Sequence, residues 1–175
     1  MSEEVAAVGA AAIVVGVVSG QPDRVVEQAA RFAALMSAQL ICASVDPSRY
    51  AVQELADGSV RSLPVDPDLP DRSGNRSVQF DPTLARHLAA ILDPRGVQWS
   101  VRALAGEPAR ALARLAETVD AAMIVVGTRE HRGRLSVQSF FGGSVAVHLA
   151  HRQSRPVLIV PLSPVAADAT LPWES

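Results

Sequence analysis

Residues 121–127 read Ala121-Ala122-Met123-Ile124-Val125-Val126-Gly127, an apolar run that ends in a glycine. No polar residue alternates with the apolar ones, so the run predicts a strand covered on both faces, as in a parallel sheet. A polar loop follows, and Gly143-Ser144 is predicted to start the next helix. The stretch therefore indicates an α/β fold, with a glycine-flanked loop at the carboxyl end of a buried strand.

The same alternation of strand and helix extends over the rest of the chain. Further apolar runs predict strands over 12–18, 39–45, 97–104 and 156–161. Apolar residues at helical spacing predict the intervening helices, which begin near Asp23, Asp81, Glu107 and Gly143. Because crossovers between parallel strands are right-handed, this order predicts a single-domain, open five-stranded parallel sheet with helices on both faces. Ligands bind such sheets at the carboxyl ends of the strands, where the strand order reverses.

Residues 46–80 differ from the rest of the chain because they are rich in Pro, Asp, Ser and Gly. Two strand-like segments, 51–55 and 60–63, flank Asp57-Gly58, a pair that supplies the positive φ angles of a tight hairpin turn. We therefore expect a variable insertion after the second strand, either a hairpin or an irregular loop. The folded domain is expected to span residues 1–162, followed by a loose tail over 163–175.

Composition excludes several classes of protein. All 16 basic residues are arginines, against 18 acidic residues, and the net charge is −2. Without lysine, neither a Walker-type phosphate loop nor a Schiff-base enzyme can be built. The near-neutral balance disfavours a nucleic-acid module. The single cysteine, Cys42, lies in an apolar run and is interpreted as a small buried hydrophobe.

The N-terminal apolar run over 5–18 is too short for a membrane span, which needs about 20 residues. It also lacks the basic start of a secretory signal, because Glu3 and Glu4 precede it. We therefore expect a cytoplasmic protein that contacts no membrane.

The candidate ligand site is the loop that follows Gly127. Glycines allow backbone N–H groups to approach phosphate oxygens, and a helix start adds unpaired N–H donors and the positive end of a dipole. Arginines in the loop could add charge-assisted hydrogen bonds. The predicted nucleotide-binding residues are Gly127, Thr128, Arg129, Gly133, Gly143, Ser144 and Val145. Both groups also have an interpretation without a ligand. The arginines would then form a solvated loop, and Ser144 would only cap the helix.

These residues resemble the signature of the universal stress protein family, G-x2-G-x9-G-[ST] after the fourth strand. Gly127 matches the first glycine, Gly133 stands at the nine-residue spacing, and Gly143-Ser144 matches the closing pair. The flanking segments 106–109 and 155–161 are also similar to the family. The resemblance implies an adenine-nucleotide-hydrolase-like fold and a stress-associated regulatory role. It also implies bound ATP or a related adenine nucleotide, and a homodimer formed through the last strand, Val157, Leu158, Ile159 and Val160.

The chain departs from the family pattern at three places. Glu130 stands where the second glycine of ATP-binding members lies, and the interval from Gly127 to Gly143 is three residues longer than the pattern. Val18 stands where binding members carry an acidic residue that contacts the adenosine. These departures favour an alternative function, a nucleotide-free dimeric interaction protein with a degenerate site.

No catalytic residues are predicted. The sequence offers only His131 and Glu130 near Gly127, and no set of nucleophile, base and orienting residue. At most a weak ATP hydrolysis is expected. A metal site is not predicted either, because His148 and His151 have no cysteine or acidic residue at ligand spacing.

Overall fold

The computed structural model describes residues 11–54, 60–64, 78–128 and 141–162. Strands and helices alternate along most of this part of the chain, as the sequence predicts. The elements are β1 (Ala12–Gly16), α1 (Arg24–Leu35), β2 (Gln39–Asp46), β3 (Arg49–Glu54), β4 (Val60–Pro64), α2 (Pro82–Leu92), β5 (Trp99–Ala105), α3 (Pro108–Thr118), β6 (Ala121–Gly127), α4 (Phe141–Arg152) and β7 (Val157–Val160).

Five strands form one parallel sheet in the order β5-β2-β1-β6-β7. The chain first builds outward from β1 through β2 to β5, and then returns to the other side of β1 to place β6 and β7. The strand order therefore reverses between β1 and β6, where Val14 pairs with Ile124. The predicted five-stranded parallel sheet is confirmed.

The two faces of the sheet carry separate cores because side chains alternate along each strand. Ile13, Val15 and Val17 pack with the buried residues of α1 and α2. Ala12 and Val14 pack with the buried residues of α3 and α4. All of these strand residues are buried, which explains why β1 shows no polar alternation.

Local signals set most helix ends as predicted. The Asp81 side chain caps α2 by accepting a hydrogen bond from the Thr83 N–H at 2.8 Å. The Glu107 carboxylate caps α3 by accepting from the N–H groups of Ala109 and Arg110. After α2, a short 3₁₀ turn over Asp93–Arg95 leads to Gly96, whose φ of 66° ends the segment.

Several predicted boundaries are wrong, and the strand predicted over 97–104 is β5 over Trp99–Ala105. The first strand was predicted over 12–18, but β1 ends at Gly16, because the chain turns away at Val18, whose carbonyl accepts from the Gln21 N–H. The fourth helix was predicted to begin at Gly143, but α4 begins at Phe141. Glycine adopts helical angles, so a glycine pair need not end or start a helix by itself.

The insertion after β2 contains a hairpin. β3 and β4 pair antiparallel, while residues 55–59, with the predicted Asp57-Gly58 turn, lie outside the described part of the chain. Arg49 fixes the pair by donating to the Ser62 hydroxyl at 2.7 Å and to the Ser62 carbonyl at 2.8 Å. Ala51 packs against the core on the α3 side. The domain limits and the loose tail over 163–175 stay predictions.

Candidate functional site

A pocket opens at the reversal point of the sheet, at the carboxyl ends of β1, β2 and β6. The start of α3 and the first turns of α4 form its other wall. Its volume is about 140 Å³. An engineered apolar cavity of about 150 Å³ holds one benzene, so this pocket matches a single ring system and not a whole nucleotide. The lining residues are Gly16, Val17, Val18, Gln21, Ala43, Val45, Pro108, Leu112, Val126, Gly127 and Val145.

Gly16 keeps part of this pocket open. A Cβ atom at this position would lie 3.2 Å from Cδ1 of Leu112 and 3.5 Å from Cγ1 of Val126, both of which line the pocket. A side chain at residue 16 would therefore take up space between β1 and α3. The glycine at the end of the central strand thus leaves this space to the pocket.

Gly127 lines the pocket, and packing gives a separate reason for the glycine. A Cβ atom here would lie 2.8 Å from Cγ2 of Val25 and 3.2 Å from Cδ1 of Leu162. Val25 is fully buried on α1, so it has little room to move. The close approach of α1 to the end of β6 therefore requires glycine, independently of any ligand.

Thr128 connects β6 to the end of β7. Its backbone N–H donates to the Val160 carbonyl at 2.9 Å, and its hydroxyl oxygen accepts from the Leu162 N–H at 2.9 Å. This predicted site residue therefore holds two strand ends together, and its side-chain oxygen already has a protein partner.

The structure brings Val145 of α4 and Gly127 of β6 into the same pocket. Gly143 and Ser144 lie in the first turn of α4, so Ser144 does not precede the helix as a cap would. The predicted site residues Arg129 and Gly133 lie outside the described residues, as does Glu130.

Val18 lines the pocket and exposes 44% of its surface. The side chain therefore stands at the position where the family resemblance implies an acidic residue, and it presents an apolar surface to a ligand. A carboxylate contact from this position is impossible in this chain.

Gln21 is a site residue that the sequence did not single out. It lines the pocket, and its side-chain Nε2 is buried with no hydrogen-bond partner among the described residues. Leaving a buried donor unpaired costs about 1–3 kcal/mol, so such a group points to a missing partner. In the sequence Gln21 belongs only to a turn, Ser19-Gly20-Gln21-Pro22, and its burial arises from the tertiary structure.

The thiol of Cys42 and the imidazole of His148 are two titratable groups outside the pocket lining. Burial raises the pKa of the Cys42 thiol to about 12, which confirms Cys42 as a buried hydrophobe. His148 Nδ1 on α4 lies 3.8 Å from Glu107 Oε1 at the start of α3, a proximity that the sequence spacing does not reveal. In the described ranges, no group of three metal-ligating side chains occurs. The described helices include none that is long and apolar enough to cross a bilayer.

The family comparison agrees with this geometry. A family model described as "Universal stress protein family" matches residues 11–161. The chain belongs to the universal stress protein family. The resemblance to this family is thereby confirmed, and the reversal-point pocket lies within the matched region.

Solved structures of universal stress proteins share the fold. One, a universal stress protein in complex with cAMP, is 25% identical, with a TM-score of 0.55, and the match covers 87% of this chain and 98% of that one. A universal stress protein from Archaeoglobus fulgidus in complex with dAMP is 20% identical, with a TM-score of 0.52 and coverage of 86% and 97%.

A third structure, of a family member from Burkholderia pseudomallei, is 22% identical, with a TM-score of 0.53 and coverage of 86% and 96%. A search of curated protein sequences found no match. The structural likeness therefore supports the fold of this universal stress protein, while its ligand has to be argued from its own residues.

Proposed function

We propose that this universal stress protein is a regulatory, stress-associated protein that binds an adenine nucleotide, ATP or a close relative, at the reversal-point pocket. The observation that carries the proposal is the unpartnered Nε2 of Gln21 in a small apolar pocket at the carboxyl edge of the sheet. A purine offers a flat apolar face and several acceptor atoms, which suits both features. No catalytic role is proposed, and the proposed compartment is the cytoplasm.

The pocket is large enough for the base of a nucleotide, so the phosphates would lie outside it. Its volume of about 140 Å³ suits the base, which would pack against Val18, Val45 and Leu112. The phosphates would then extend toward the start of α4, where unpaired N–H groups and the helix dipole favour an anion. In this arrangement Gly143, Ser144 and Val145 lie next to the phosphates, and Arg129 and Gly133 of the loop are proposed to contact them.

The ligands of similar proteins support the choice of nucleotide. Structures of two family members were solved with cAMP and with dAMP. Both ligands contain adenine and differ in the sugar and in the phosphate, which agrees with a pocket that selects the base.

Calorimetric titration of the full chain with AMP and ATP tests the proposal. Gln21→Met keeps the side-chain volume and removes the donor, so we expect the affinity to fall about 5–10-fold, the value of one hydrogen bond of about 1–1.5 kcal/mol. Gln53→Met, an exposed change on β3 outside the pocket, should leave binding unchanged. Absence of binding by the unaltered protein at millimolar nucleotide would refute the proposal.

One observation in the pocket favours a second candidate function. Val18 presents an apolar surface where nucleotide-binding members carry a carboxylate, which favours a nucleotide-free dimer that acts through interactions. Under this alternative the unaltered protein binds no nucleotide, and Val18→Asp restores measurable binding. If Val18→Asp instead weakens binding that already exists, the apolar residue is part of a working site and the alternative is excluded.

A further inference from the structure

A second concave surface lies between α3 and α4, away from the reversal-point pocket. We refer to it as the arginine groove. It encloses about 490 Å³ and is lined by Arg110, Ala113, Arg114, Glu117, Arg152, Gln153, Ser154 and Arg155. Four of these residues are arginines and one is a glutamate, so the groove is strongly positive in a chain of net charge −2.

The groove lies at the edge of the sheet where the strands begin. Arg155 anchors it there, because its Nε donates to the carbonyl of Ala121, the first residue of β6, at 2.8 Å. The reversal-point pocket, in contrast, lies where β1, β2 and β6 end. The two concave surfaces share no lining residue, so one ligand of nucleotide size cannot be assumed to fill both.

One wall of the groove is a stripe on α3. Arg110, Arg114 and Glu117 are spaced four and three residues apart, so they share one face of the helix. Glu117 offsets part of the positive charge of Arg114, while Arg110 lies one turn nearer to the helix start. This wall therefore presents guanidinium groups at two heights along the groove.

The other wall is held in a fixed shape. The Gln153 side chain donates to the carbonyls of Leu149 and Arg155 and accepts from the Arg155 N–H at 2.6 Å. Arg155 also donates to Asp120 at 3.2 Å, and its side chain is only 21% exposed. Its two contacts, to Ala121 and Asp120, use two of the five N–H donors of a guanidinium. Because a preordered wall loses little entropy on binding, it favours ligand affinity.

From this geometry we propose that the arginine groove binds a small polyanion that carries two or more linked phosphate groups. Guanidinium groups pair with phosphate oxygens in a bidentate way, and four of them spread along a groove suit more than one phosphate group. The volume falls within the roughly 300–1,000 Å³ of small-molecule sites. Charge, number of donors and volume thus agree on a chain of phosphates, either free or as part of a nucleotide.

Calorimetry with tripolyphosphate, at low salt, tests the proposal on the full chain. The combined Arg110→Gln and Arg152→Gln variant removes one exposed guanidinium from each wall, and we expect it to bind tripolyphosphate at least about tenfold more weakly. The control combines Arg31→Gln and Arg61→Gln, exposed residues of α1 and β4 that do not line the groove, and it loses the same charge. An equal loss in both variants, or a loss in neither, overturns the proposal.

Two further measurements define the ligand. Glu117→Gln should tighten tripolyphosphate binding several-fold, because it removes the one carboxylate among the residues that line the groove, and weaker binding in this variant would contradict an anion site. ATP is titrated in parallel to separate the two sources of a phosphate chain. The ligand that binds the arginine groove should bind the combined Arg110→Gln and Arg152→Gln variant more weakly than the unaltered protein. Its affinity for the Gln21→Met variant should equal that for the unaltered protein.

Discussion

Gly127 and Gln21 each have a tertiary environment that a sequence pattern cannot show. The glycine pattern singled out Gly127 as a site residue, and in the structure Gly127 lines the pocket. It could not reveal the contact with Val25, since residues so distant in sequence meet only after helix α1 packs on the sheet. Gln21 could not be predicted at all, because the lack of a partner for its Nε2 is a property of the folded surroundings.

Replacement of Gly127 tests the packing explanation. Gly127→Ala places a Cβ 2.8 Å from Cγ2 of Val25, so we expect the free energy of unfolding to fall by about 1–3 kcal/mol. Adding Val25→Ala removes the clashing methyl groups. The double variant should then lose less stability than the sum of the two single variants, as measured by urea unfolding. Strict additivity would mean that the clash is not the cause.

At the scale of elements, α1 and α2 are joined by a row of polar contacts. Ser19, in the turn before α1, donates to Asp81 at the start of α2 at 3.2 Å. Farther along, Asp23 contacts His87 at 2.6 Å. A third contact joins Glu27 and Arg95 at 2.8 Å. The Asp81–Pro82 start of α2 was evident in the sequence, whereas the pairing of the two helices depends on their shared face of the sheet.

The Asp81 carboxyl, which caps α2, makes part of the protein's stability depend on pH. The hydrogen bond from the Thr83 N–H, with a smaller contribution from Ser19, holds the pKa of the Asp81 carboxyl below its ordinary value of 3.8. Because the folded pKa is lowered, the stabilisation is present above pH 3.8 and is lost as the pH falls through the folded value. Asp81→Ala should lower the Tm by roughly 2–4 °C at neutral pH.

Asp81→Asn is the matched control, because asparagine also caps helices but does not ionise. Its Tm at neutral pH should stay close to that of the unaltered protein, while the part of the acid sensitivity that arises from Asp81 disappears. A Tm of Asp81→Asn as low as that of Asp81→Ala would show that charge, and not capping, stabilises α2. Thermal melts at a series of pH values between 3 and 7 measure both effects, roughly spanning the carboxyl titration range.

For the whole molecule, the two edges of the sheet differ. The β3–β4 hairpin packs near β5 on one side, whereas β7 pairs with β6 alone among the described strands. Ile159 in β7 is 46% exposed. The α/β alternation in the sequence was sufficient to predict the five-stranded parallel sheet, because crossover handedness leaves few arrangements, but the strand order became known only from the structure. It was not sufficient to place the arginine groove, whose walls come from both α3 and the turn before β7.

The proposed homodimer through the last strand, Val157–Val160, is tested at this edge. An unpaired apolar edge favours association with another strand, and a charge on it opposes that association. We therefore expect Ile159→Lys to shift the protein from dimer to monomer in sedimentation velocity. Leu35→Lys, which alters a more exposed apolar residue on α1, should leave the dimer intact. A monomeric unaltered protein would refute this interface.

The buried thiol of Cys42 makes the opening of the central sheet directly measurable. Cys42 is fully buried on β2, between β1 and β5, and is the only cysteine in the chain. A thiol reagent can therefore label the protein once, and only when these strands separate. The time course of that single mass increase gives the rate or the equilibrium of sheet opening, depending on reagent concentration, without an introduced probe. Nucleotide or polyphosphate that binds the closed sheet would slow the labelling, so the cysteine reports occupancy of either surface from inside the molecule.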